Sequence, residues 1–128
     1  MHGLNRLVPY LTFGWAAAIL VVSVIPSEEL PDLHMWEPDK VFHALFYAIL
    51  TGLVFMLIQP RRPHKIPLNN VITAALLCIL YGFCIECIQL WLPTRSFDIY
   101  DVLADSLGCL LAVGIILVIS KRKKHPAA

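Results

Sequence analysis

The 128-residue chain carries ten Lys and Arg against nine Asp and Glu, a net charge of +1, with 59% of its residues hydrophobic and only 15% charged. A mean hydropathy of +0.74 excludes an ordinary soluble domain, and the balanced charge gives no nucleic-acid signature. The composition points to an all-α membrane protein.

Four apolar runs account for it: Leu7 to Pro26, Val41 to Ile58, Leu68 to Leu92 and Val102 to Ser120. Each is near the roughly 20 residues that cross a hydrocarbon core about 30 Å thick. Short loops leave no room for a second domain, so residues 1–128 are expected to form a single transmembrane domain. The first run resembles a secretory signal in having Arg6 before an apolar stretch. It is longer than an h-region of roughly 7–15 residues, and "SVIPSEEL" offers no convincing small-x-small cleavage site, so an uncleaved span is expected.

The loops set the orientation. Arg6, the "RRPHK" link (Arg61, Arg62, Lys65) and the "KRKK" tail (Lys121 to Lys124) hold eight of the ten basic residues on one side. The positive-inside rule makes that side cytoplasmic, with both termini inside. The other side has Lys40 and Arg95, together with Glu28, Glu29, Asp32, Glu37, Asp39, Asp98 and Asp101.

The second span enters from this acidic side and carries Asp39, His43 and Tyr47 four residues apart, along one helix face. The third, "YGFCIECIQLW" near its end, carries Gly82, Glu86 and Gln89. Glu86 lies seven residues before Pro93, roughly 10 Å deep at about 1.5 Å per residue. The fourth carries Asp101, Asp105, Gly108 and Ala112. Three helices each present a polar stripe in the outer half, and exposure to lipid would leave those groups unpaired. The stripes are expected to face one another or a small water-filled cavity open to the exterior.

Each residue also has a plain structural role open to it. Asp39 and Asp101 begin the predicted helices, where a carboxylate caps free N–H groups. Tyr47 and Gln89 suit interhelical hydrogen bonds. Glu86 carries the strongest functional weight, because a central charge costs about 2.5–3.5 kcal/mol on insertion scales; a pair with Arg95 or His43 is its structural alternative. Cys84 and Cys87 form a Cys-x-x-Cys inside a membrane helix and, with Cys78 and Cys109, read as small packing residues.

Together "DKVFHALFY", "YGFCIECIQLWLP" and "LPTRSFDIYDVLADSLG" resemble the VanZ-like family of small bacterial membrane proteins, named for a determinant associated with teicoplanin resistance. Asp39, Lys40, His43 and Tyr47 match its Asp-Lys-x-x-His-x-x-x-Tyr pattern. Glu86, Gln89, Arg95, Asp98, Asp101 and Gly108 match its second part, whereas Asp105 stands where many relatives carry Asn. The resemblance implies a bacterial cytoplasmic membrane location and, for some members, lower susceptibility to lipoglycopeptides.

Ionised, Asp39, Glu86, Asp98, Asp101 and Asp105 outweigh Lys40, Arg95 and His43, so the cluster does not suit a bare phosphate. Desolvation and repulsion favour neutralising the deepest acids, Glu86 first, by protons or a divalent cation. Histidine and carboxylates from several helices suit Zn²⁺ or Mn²⁺, and carboxylates with water suit Mg²⁺. No local ligand pair of the zinc-enzyme kind is evident, and no metal or cofactor is expected.

Three functions follow, in this order. A binding module would engage an envelope lipid head group or peptidoglycan precursor through Asp39, Lys40, His43, Tyr47, Glu86, Gln89, Arg95, Asp98, Asp101 and Asp105. An enzyme on a lipid-linked substrate would use Glu86, His43 or Asp105 for acid–base chemistry, with Arg95 orienting an anionic group. A transporter is disfavoured by the apolar inner halves. Composition and spacing leave the oligomeric state open.

Overall fold

The computed structural model describes residues 2–26, 36–59 and 66–122. It contains four helices: α1 (His2–Val24), α2 (Trp36–Ile58), α3 (Leu68–Gln89) and α4 (Ile99–Arg122). All four are long and apolar enough to cross a membrane. Glu28, Glu29 and Asp32, with Arg61, Arg62, Lys65, Lys123 and Lys124, lie outside the described residues, as do the side chains of Glu37 and Arg122.

The helices form because uninterrupted apolar sequence in hydrocarbon must satisfy its own backbone N–H and C=O groups. Their surfaces are inverted relative to a soluble bundle. Leucine, isoleucine, valine and phenylalanine project outward along every helix, while much of the interior consists of Ala74, Ala75, Cys78, Ala104, Cys109 and Ala112, with Thr51 fully enclosed. Small residues let helix backbones approach, which drives packing where lipid offers no hydrophobic gain. Ala104, Gly108 and Ala112 place such a surface on α4, and a Cβ added at Gly108 would collide with the Ala44 carbonyl of α2. The glycine therefore sets the α2–α4 separation.

Three of the boundaries that differ from the sequence expectation bear on the polar residues. The helix of the second span starts at Trp36, five residues earlier, which moves Asp39 to its fourth position and away from a capping place. The third helix ends at Gln89, with Leu90–Thr94 in turns. The fourth starts at Ile99, and its cap is Asp98: Tyr100 N donates to Asp98 Oδ1 at 2.8 Å, and Asp101 N donates to the Asp98 carbonyl at 3.1 Å. Asp98, not Asp101, serves the free N–H groups at the start of α4.

The ends of α1 and α3 and the starts of α2 and α4 meet at one end of the bundle, which holds the polar residues. At the other end Asn70 Nδ2 donates to the Ile58 carbonyl at 3.2 Å, above an apolar cluster of Phe55, Val71 and Ala74.

Candidate functional site

At the polar end a chamber of about 370 Å³ opens between the helix ends. Its walls are Val22 and Ser23 of α1, Asp39 and His43 of α2, Gln89 of α3, Asp101 of α4, and Thr94, Arg95, Ser96 and Asp98 of the α3–α4 link. A second cavity of about 290 Å³ runs between α1 and α2, lined by Ile19, Phe42, Phe46 and Tyr47 and by four residues it shares with the chamber: Val22, Ser23, Asp39 and His43. A polar room thus continues into an apolar slot.

Charge pairing organises the floor. Lys40 Nζ donates to Asp98 Oδ2 at 2.8 Å and also to Asp101 Oδ1, and lies 3.9 Å from Asp39 Oδ2. The Lys40 ammonium holds the Asp98 carboxyl below the ordinary carboxylate range. On the next turn of α2, His43 Nδ1 and Asp105 Oδ1 are hydrogen-bonded at 2.9 Å, the nitrogen donating when Asp105 is ionised. Asp105 is almost fully enclosed and His43 is 22% exposed, so a buried carboxylate of α4 fixes an imidazole whose other nitrogen remains toward the chamber. That nitrogen, Nε2, lies 3.8 Å from Asp101 Oδ2. Gly82 makes room for this arrangement, since a Cβ there would stand 2.6 Å from Asp105 Oδ2 and 3.1 Å from the Tyr47 ring.

The other polar residues brace the walls. Glu86 is buried, and its Oε2 accepts from Asp98 N at 2.9 Å. It latches the link onto α3, in place of a pair with Arg95 or His43. Arg95 donates from Nε and Nη2 to the Ile25 carbonyl at 3.0 and 2.9 Å, closing the C-terminal end of α1. Gln89 Nε2 donates to the Ser23 carbonyl at 3.0 Å. Further down, Tyr81 Oη donates to the Ala16 carbonyl at 2.7 Å and Trp15 Nε1 to the Phe46 carbonyl at 3.0 Å. Arg95, Gln89 and Tyr81 thus fasten α1 to the α3–α4 link and to α3 through main-chain oxygens, and Trp15 fastens it to α2.

The structure therefore brings the ten residues singled out by spacing and by the family pattern to one end of the bundle, in two tiers. Asp39, His43, Gln89, Arg95, Asp98 and Asp101 line the chamber. Lys40, Glu86 and Asp105 hold those residues in place, and Tyr47 lines the slot. The contribution of α1 was missed, because it supplies backbone carbonyls and small side chains such as Ser23, which carry no sequence signal. Asp39 and His43 are also a local metal-ligand pair at i, i+4, which the sequence reading passed over. With Asp101 they present donor atoms within 4.8 Å of one another.

A family model described as VanZ/LLP1 matches residues 7–120. Among curated proteins, "Uncharacterized protein C11E3.10" of Schizosaccharomyces pombe (strain 972 / ATCC 24843) is 31% identical over 109 residues, covering 83% of this chain; the chain spans 65% of that protein's length. No solved structure matches. A fission-yeast relative means that the likeness does not by itself assign the chain to a bacterium.

Proposed function

We propose, from the premise that the chain belongs to the VanZ/LLP1 family, that it is a receptor for one amphipathic envelope lipid. The head group occupies the chamber and an acyl or prenyl chain lies in the slot between α1 and α2. One observation carries this reading: the polar chamber and the apolar slot share Val22, Ser23, Asp39 and His43 as a common wall. A site with an apolar slot at one end and convergent polar groups at the other matches the division of a lipid into tail and head. Arg6 at the start of α1 and Lys121 at the end of α4 lie toward the opposite end, which with the positive-inside rule supports an outward-facing chamber in a cytoplasmic membrane, with both chain termini inside.

In a teicoplanin-sensitive host, engagement of such a lipid would alter what a membrane-anchored glycopeptide reaches. Expression at matched levels is expected to raise resistance to teicoplanin more than to vancomycin, and Ser23→Trp, which fills the shared wall, is expected to abolish the gain. The binding itself is tested with photoactivatable phospholipids. A probe with the reactive group in the chain is expected to mark Phe42 and Phe46, and one with it in the head group to mark the 94–98 link. Equal labelling of lipid-facing residues such as Leu76 and Leu110 by both probes would contradict the proposal.

The bond between Asp105 and His43 favours a second reading, a membrane-embedded enzyme on a lipid-linked substrate. A buried carboxylate orienting an imidazole toward a cavity is an arrangement used in acid–base catalysis. Under that reading expression changes the chemical composition of the lipid pool and His43→Ala reverses the change; under the first, the composition stays constant.

A further inference from the structure

We propose that Asp39, His43 and Asp101 form a site for one divalent transition-metal ion, of the Zn²⁺ or Mn²⁺ class, in the wall of the chamber. Three observations on different residues converge on it.

The first is donor geometry. The ligand atoms lie within 4.8 Å of one another, and His43 Nε2 and Asp101 Oδ2 are 3.8 Å apart. Metal–donor bonds of about 2.0–2.2 Å place neighbouring donors roughly 3–3.5 Å apart. Closure around an ion therefore takes sub-ångström movement on the α4 side. Asp39 is 62% exposed and free to swing inward.

The second is the assignment of the remaining atoms. His43 Nδ1 is occupied by Asp105; an ionised carboxylate there takes the ring N–H and leaves the Nε2 lone pair available. A metal-ligating histidine almost always donates its other ring N–H to a carboxylate or carbonyl in this way, fixing the ring and raising its basicity. Asp101 divides its oxygens similarly, Oδ1 accepting from Lys40 while Oδ2 faces the imidazole. Each presents one committed atom and one available atom, and the available atoms converge.

The third is charge. Asp39, Asp98 and Asp101 line the chamber, with Glu86 and Asp105 enclosed behind it. Lys40 is shared between Asp98 and Asp101, and Arg95 is bonded to main-chain oxygens of α1. The fixed cations are spent on structure while the chamber retains a negative surface. One imidazole and two carboxylates suit a borderline cation of this class. They leave coordination positions open to the chamber for water or an oxygen of a bound molecule. Where that molecule is an anionic lipid head group, the inference rests on the receptor reading above: the ion would turn a site that repels phosphate into one that binds it.

The test uses the full chain purified in an uncharged maltoside detergent, stripped with chelator and titrated without added lipid. Mn²⁺ binding is read from loss of the free-ion EPR signal, and Zn²⁺ by competition. Wild type is expected to take up about one Mn²⁺ per chain, displaced by Zn²⁺. Asp39→Asn, at an exposed side chain, and His43→Gln are expected to lose at least tenfold in affinity with helicity and thermal unfolding retained. Asp105→Asn is expected to lose about 10–100-fold, the range for a group that orients a ligand. The proposal is overturned if wild type leaves both ions free at millimolar concentration, or if folded Asp39→Asn and His43→Gln bind as wild type does. Wild-type protein that cross-links lipid in its slot yet binds neither ion overturns the cation site and leaves the receptor reading standing.

Discussion

Glu86 illustrates how a costly intramembrane carboxylate can brace the wall of a polar chamber. Its Oε2 accepts the Asp98 amide, and the same residue, Asp98, caps α4 and pairs with Lys40. Glu86→Gln keeps an acceptor for that amide and is expected to fold at wild-type levels. Glu86→Ala leaves the part-buried Asp98 N–H without its acceptor and is expected to cost about 1–3 kcal/mol, seen as a lower unfolding temperature in detergent. Asp98 adds a pH signature. Its carboxyl is held below the ordinary range by Lys40, so its contribution is complete above the unfolded value of about 3.9 and is lost as pH falls through the lower folded value. Acidification from about pH 5 to pH 2 should therefore destabilise wild type more than Asp98→Asn, which keeps the cap but not the charge. The sequence made most of these residues conspicuous as a group, because polar side chains at three- and four-residue spacing stand out in apolar helices, and the structure gathers them at one end of the bundle. Their individual partners were not legible: Arg95 binds carbonyls of α1, and a carbonyl has no one-letter code.

Among the elements, α4 against α2 sets the frame, and α1 closes it. Gly108 approaches the Ala44 carbonyl too closely for a Cβ, whereas Gly114 has open space around the corresponding position. Gly108→Ala is expected to destabilise by about 1–3 kcal/mol through overpacking, while Gly114→Ala leaves thermal unfolding unchanged. The α1 helix is fastened differently, through hydrogen bonds from Arg95, Gln89 and Tyr81 to its main-chain oxygens. Arg95→Ala is expected to loosen its C-terminal end. Amide hydrogen exchange at Ser23 to Ile25 would then quicken, with less change in the α2–α4 core. Hydropathy revealed all four helices, since apolar length is a direct requirement of the bilayer. It misplaced the start of α2 because Trp36 to Lys40 is too polar to register as membrane yet continues the helix into the interface.

For the whole molecule, four spans converge on a polar chamber at one end that continues into an apolar slot between α1 and α2. Cysteine placed at Ser96 is expected to react with a membrane-impermeant maleimide from outside the cell, and cysteine at Asn70, near the opposite end, is expected to be protected. The spacing of the polar stripes pointed to a polar cavity; the slot was not legible, because it depends on how far α1 stands from α2. The most direct measurement is native mass spectrometry of wild type and Ser23→Trp purified from the same membranes. Wild type is expected to retain about one lipid per chain under activation that strips loosely associated lipid, and the variant, folded equally well, is expected to emerge bare. Equal retention by both, or a wild-type chain that carries no lipid, would contradict the receptor account.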